Sequence, residues 1–106
     1  MKPNLCIGTA QFGLNYGIVN KFGKVPKNEV SKILKVAEEY GINYLDTAQS
    51  YGSSEQILGD LLSNNNKFKI ISKIKPHKKD YFELEDIDNL EKNFDISLKK
   101  LNLKKI

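Results

Sequence analysis

The sequence contains no arginine. Apart from the single His77, every cationic side chain is a lysine. A reader of nucleic-acid bases or paired phosphates is expected to use the planar guanidinium fork, so a nucleic-acid partner is not expected. Cys6 is the single cysteine, which excludes an internal disulfide framework and fits a reducing compartment. With one histidine and one cysteine, no two such ligands stand at metal-binding spacing, and no metal site is expected. No apolar run approaches the ~18 to 20 residues that cross a bilayer. The opening "MKPNLCIGTAQFG" lacks a long apolar core followed by a small-residue cleavage site. These absences favour a cytoplasmic protein without a membrane partner. Gly8, Gly13 and Gly17 do not form G-x-G-x-x-G, and no G-K-[ST] phosphate loop is present.

What remains is the composition of a globular chain, 40% hydrophobic and 28% charged. Its 106 residues suit one domain or part of one. The net charge of +4 is uneven: residues 1–60 carry six lysines and six acids, whereas residues 61–106 carry eleven and seven. The plain reading of that excess is a solvated, lysine-rich helix surface.

Hydrophobic periodicity orders the chain. "LCIGTAQF" (5–12) reads as a first strand, followed by a glycine-containing loop. From Pro26 the period becomes helical, with Val30, Ile33, Leu34, Ala37 and Tyr40 on one face and Gly41 at the expected C-cap. "INYLDT" (42–47) reads as a second strand. "SSEQILGDLLSNN" (53–65) reads as a second helix, opened by a Ser53–Gln56 capping box. "NNNK" is a turn and "FKIISKI" (68–74) a third strand. A third helix is expected over about 86–102, with Ile87, Leu90, Phe94, Leu98 and Leu101 on one side. "KKI" at the end reads as the opening of a fourth strand.

Strand–helix alternation implies an α/β protein with a parallel sheet. The two main solutions are a doubly wound sheet and an eight-stranded barrel. A barrel takes ~250 residues, so the chain is expected to be the N-terminal part of something larger.

In such an array, side chains at the C-terminal strand ends converge on one rim. That rim collects Thr9 and Gln11, then Asp46 and Tyr51, then Lys73. Neighbouring strands lie ~4.8 Å apart, so acid, phenol and ammonium fall within hydrogen-bonding reach. A free tyrosine, with a pKa of about 10, is a poor proton donor near neutrality. A cation beside a phenol favours the phenolate, and a carboxylate beside that cation keeps it charged and in place. A tyrosine so tuned can protonate an oxygen that becomes negative, as a carbonyl does on receiving hydride. Each residue also has a plainer reading: Asp46 as a turn cap, Tyr51 as a rim aromatic, Lys73 as a snorkelling strand-end lysine.

"GINYLDTAQSYGSSEQILG" (41–59), followed by "KIISKI", resembles the N-terminal signature of the aldo-keto reductases. The shared positions are Gly41, Asp46, Thr47, Ala48, Tyr51, Gly52, Ser54, Glu55, Leu58, Gly59 and Lys73. "IGTAQFG" (7–13) is similar to the family's opening segment. The resemblance implies a parallel (β/α)8 TIM-type barrel, of which the first three βα units are present. It also implies NADPH or NADH as cofactor and a small-molecule carbonyl substrate. Tyr51 would be the general acid, Lys73 its modulator and Asp46 the partner of Lys73. Gly8 and Thr9 would lie beneath the nicotinamide ribose, with Asp46 beside them. The family's catalytic histidine on strand four and most of its cofactor site lie beyond Ile106. The chain alone is therefore expected to be catalytically silent. A non-enzymatic binding or regulatory subunit of the same fold is the alternative, and the oligomeric state is open.

His77, in "KPHKKD", is expected to be an exposed loop residue and no substitute for that histidine. Cys6 reads as a small buried hydrophobe. Glu55 reads as a charge supporting the first turn of its helix.

Overall fold

A computed structural model describes residues 4–62 and 66–106. Three short strands, β1 (Cys6–Gly8), β2 (Tyr44–Asp46) and β3 (Lys69–Ile71), form a parallel sheet in the order β1-β2-β3. Helices follow each strand: α1 (Ala10–Gly13) and α2 (Lys27–Glu39) after β1, α3 (Ser54–Leu61) after β2, and α4 (Leu84–Leu101) after β3. The expected alternation and parallel direction are both present. The expected fourth strand is not: residues 104–106 form no strand. The end of the second expected helix and the first half of the "NNNK" turn fall on residues 63–65, outside the described residues.

Strand register separates the two faces of the sheet. Ile7, Leu45 and Ile70 are aligned across the three strands and turn toward the helices. Leu45 and Ile70 join Phe12, Val30, Leu34, Ile57, Leu58 and Leu101 in the buried core, and Ile7, partly buried, packs against it. The rows on either side, Cys6–Tyr44–Lys69 and Gly8–Asp46–Ile71, face the other way and stay open. Side chains alternate along a strand, so Cys6 lands on the uncovered face. It is exposed, not the buried hydrophobe expected.

The first strand is shorter than its apolar run. Thr9 donates both its N–H and its hydroxyl to the Asp46 carbonyl, each at 2.9 Å. The chain then turns, Phe12 N donating to Thr9 O at 2.9 Å. This turn drives Phe12 into the core instead of extending the sheet. Gln11 donates from Nε2 to Tyr16 O at 2.9 Å, bracing the loop that follows.

The second element behaves as its sequence suggests, with one difference. Pro26 caps α2, and Gly41, at φ +74°, ends it. Gly41 N bonds to Glu38 O and Ile42 N to Ala37 O, the paired bonds of a Schellman motif. Val30, Leu34 and Ala37 are buried, but Ile33 and Tyr40 are exposed. They line an apolar groove with Leu5, Ile7, Val36 and Ile42 along the free edge of β1. No further element of the described chain covers that edge.

The start of α3 differs from expectation. Ser53 caps no N–H group of α3. Its hydroxyl accepts from Lys24 Nζ at 2.6 Å, while Gln56 turns to Asp60. At α4, by contrast, Asp86 Oδ2 accepts the Glu83 N–H at 2.9 Å, the backward half of a capping box. Lys79 pairs with Glu83 and Asp86 at 3.0 and 3.2 Å. His77 joins this cluster. It is half-buried, stacks on Phe82 with ring centroids 4.1 Å apart, and bonds to Tyr81 O through Nε2 at 2.8 Å. It is therefore an anchor of the loop, not the exposed residue expected. Among the described residues no helix is long and apolar enough to cross a membrane.

The Glu83 backbone N–H, with Lys79 beside it, holds the Asp86 carboxyl below its ordinary value of 3.8. A depressed carboxylate contributes stability above its unfolded pKa and loses it as pH falls through the folded one. Asp86→Ala is therefore expected to lower the thermal midpoint at neutral pH. That deficit should vanish below the usual carboxylate range, when followed by circular dichroism from pH 7 to pH 2. An equal deficit at both ends would mean that charge has no part in the cap.

Candidate active site

The open row Gly8–Asp46–Ile71 marks the C-terminal ends of the three strands. Asp46 is the last residue of β2 and Lys73 lies two residues beyond β3. By strand alternation, both project from the uncovered face. Lys73 Nζ forms an ion pair with Asp46 Oδ1 and also donates to Thr47 O at 2.9 Å. The two side chains are 47% and 42% exposed. A pair that open contributes only ~0–1 kcal/mol to stability, so its consequence is position: one ammonium is aimed at one place.

That place is beside Tyr51. Lys73 Nζ lies 5.3 Å from the centroid of the Tyr51 ring, within cation–π range. The contact is with the ring face. Among the described residues no hydrogen bond joins the Tyr51 hydroxyl to Lys73 or Asp46. The structure therefore groups all three expected residues at one mouth, with the lysine as the link between acid and phenol.

Tyr51 is placed by backbone, not by its side chain. Its N–H bonds to Ala48 O at 3.1 Å and its carbonyl accepts from Ser54 N at 3.0 Å. Gly52 follows in the left-handed region at φ +55°. The α1 turn presses against this bend so closely that a Cβ on Gly13 would stand 1.8 Å from Tyr51 O. A Cβ on Gly52 would stand 2.3 Å from Gly13 O. Two glycines that look like loop punctuation are thus the contact that sets the height of the tyrosine.

Beneath the mouth runs a chain of buried hydroxyls. Thr47 Oγ1 donates to Ser54 Oγ at 3.0 Å, Ser54 Oγ to Thr9 Oγ1 at 2.9 Å, and Thr9 Oγ1 to the Asp46 carbonyl. All three of these side chains have 0% exposure. Each hydroxyl has one proton and each is used once, so the ends of β1 and β2 and the start of α3 are locked together without an unsatisfied group. Thr9, a candidate cofactor contact by sequence, spends its side chain here, inside the fold. Gly8 differs: it is exposed, and a Cβ there would meet nothing within 4 Å.

Glu55 lies in the first turn of α3, as expected, but it is 2% exposed and accepts from Ser72 and Ser97. Gln49 escaped notice in the sequence. It bonds to Lys73 O through its N–H, to Lys75 N through Oε1, and to Ser97 through Nε2. The period-2 alternation that turns Ile70 inward also turns Ser72 inward, and a polar residue at that position was the available signal.

A model of the Aldo/keto reductase family matches residues 4–106. The chain belongs to that family. Among solved structures, one described as an aldo-keto reductase of Pseudomonas aeruginosa is similar over 95% of this chain and 39% of its own, at 30% identity and a TM-score of 0.76. A second from the same organism is similar over 95% and 38%, at 29% identity and a TM-score of 0.74. No curated protein matches. This aldo-keto reductase chain therefore spans about two fifths of the solved relatives it resembles, and its three strands are the first βα units of the family's barrel.

Gly13→Ala is expected to destabilise the chain by about 1–3 kcal/mol, the usual cost of overpacking, because the atoms in the way are backbone. Urea denaturation measures it. A neutral result would mean that the Tyr51 bend moves aside freely.

Proposed function

We propose that the site reduces an aldehyde or ketone to an alcohol, or runs the reverse reaction, with NADPH or NADH and with Tyr51 as proton donor. The observation that carries this reading is the Lys73 ammonium, held by Asp46 and Thr47 O and lying over the Tyr51 ring. In a completed barrel a nicotinamide nucleotide, when bound, supplies the hydride that reaches the carbonyl carbon. Tyr51 gives its proton to the carbonyl oxygen as that oxygen gains negative charge. Lys73 stabilises the phenolate left behind, because an adjacent cation lowers the cost of that charge. Asp46 holds Lys73 in place. Run backwards, the phenolate takes the proton from an alcohol.

The residues present fit one side of such a cofactor. Gly8 leaves its face of the strand clear of side chain, and Asp46, half-exposed beside it, offers a carboxylate oxygen to a ribose hydroxyl. Thr9 acts from below by tying its hydroxyl to the Asp46 carbonyl.

In a barrel completed from this chain, Tyr51→Phe is expected to cut carbonyl reduction by about 10²- to 10⁴-fold, the usual contribution of a positioned proton donor. Cofactor affinity, followed by nicotinamide fluorescence, should stay unchanged. Turnover that survives the substitution would remove Tyr51 from the reaction.

A further inference from the structure

Glu55 is buried, yet among the described residues it has no ion-pair partner. A carboxylate taken from water is costly unless hydrogen bonds replace its hydration. Its two hydrogen bonds come from Ser72 Oγ to Oε1 at 2.6 Å and from Ser97 Oγ to Oε2 at 3.2 Å. Ser72 directly precedes Lys73. The ladder of β3 ends at Ile71, so past it the lysine stands on a strand extension tied to the neighbouring chain by a single backbone bond, from Gln49 N to Lys73 O. Gln49 grips one side of that extension, its N–H on Lys73 O at 2.9 Å and its Oε1 accepting from Lys75 N at 3.1 Å. Glu55 grips the other side through Ser72. The two grips meet at Ser97 of α4, whose hydroxyl accepts from Gln49 Nε2 at 2.8 Å and donates to Glu55.

We propose that Glu55 is a positioning residue for Lys73: through Ser72 it anchors the strand extension from behind, so that the ammonium on the opposite face stays against Asp46 and Thr47. Side chains of adjacent residues leave an extended chain on opposite sides, so pinning Ser72 inward orients Lys73 outward. Glu55 touches no reacting atom. Ser97 extends the same clamp to α4, which gives that helix a part in placing the lysine.

The catalytic side of this inference rests on the reductase reading above; the geometric side does not, and two readouts keep them apart. In the intact 106-residue chain labelled with ¹⁵N-lysine, the Lys73 ammonium is expected to give a resolved proton–nitrogen signal, because its two acceptors slow exchange with water. Ser72→Ala and Glu55→Gln should erase that signal while leaving the backbone amides of β2 and α3 in place, and Ser72→Thr, which keeps the hydroxyl, should restore it. In a completed barrel Ser72→Ala should lower kcat by about 10- to 100-fold, the scale of a small misplacement of a catalytic group, with little change in KM. An unchanged Lys73 signal in both Ser72→Ala and Glu55→Gln overturns the proposal, as does an unchanged kcat. If Glu55→Gln fails to fold, Ser72→Ala, which removes one hydroxyl, decides it. A completed barrel of unaltered sequence with no turnover would count against the reductase reading and leave the Lys73 signal to decide the clamp.

Discussion

A lysine at the end of a strand has four rotatable bonds and no reason of its own to point anywhere. In this molecule two oxygens of the neighbouring strand, the Asp46 carboxylate and the Thr47 carbonyl, hold the Lys73 ammonium. Only a parallel register that brings Asp46 opposite Ile71 puts those oxygens within reach. One residue of slip would turn Asp46 into the core, since side-chain direction has a period of two. A carboxylate in that position would be unpaired and dry. The register is thus held by the core row Ile7–Leu45–Ile70 on one face and used by the charged row on the other.

The strands themselves are too short to hold that register unaided, and the polar interior does much of it. The hydroxyl chain from Thr47 through Ser54 to Thr9 and the Asp46 carbonyl joins two strand ends to the first turn of α3. The Glu55–Ser72–Ser97–Gln49 set joins β3 to α3 and α4. Each side chain in these sets has a partner, so burial carries little desolvation penalty. The helices contribute apolar area on one side and hydrogen-bonding direction on the other. The Gly13–Gly52 contact adds a steric stop that leaves the Tyr51 bend one height above the rim.

Much of this was legible in the chain's letters. The three strands, the α2 stripe of Val30, Leu34 and Ala37, the Gly41 stop and the grouping of Asp46, Tyr51 and Lys73 follow from periodicity, cap chemistry and the family signature. The departures share a cause. The "LCIGTAQF" run looked like one strand because apolar letters do not reveal where a neighbouring carbonyl will capture the chain, as Asp46 O does at Thr9. Ser53 looked like a cap, but Lys24, 29 residues earlier, reaches its hydroxyl. Ile33 and Tyr40 matched the helical stripe, yet they face a sheet edge that nothing in the described chain covers.

By itself the sequence determined the local conformations and supplied the reactive groups, because turn, cap and stripe preferences act over a few residues and are written there directly. It could not determine which groups meet. Whether Glu55 meets water or two serine hydroxyls, and whether Cys6 is in or out, depends on contacts between residues tens of positions apart. Those contacts exist only once the strands have paired and the helices have closed over one face. Tertiary packing decided them because burial and hydrogen-bond satisfaction belong to the whole assembly of elements, not to any one segment.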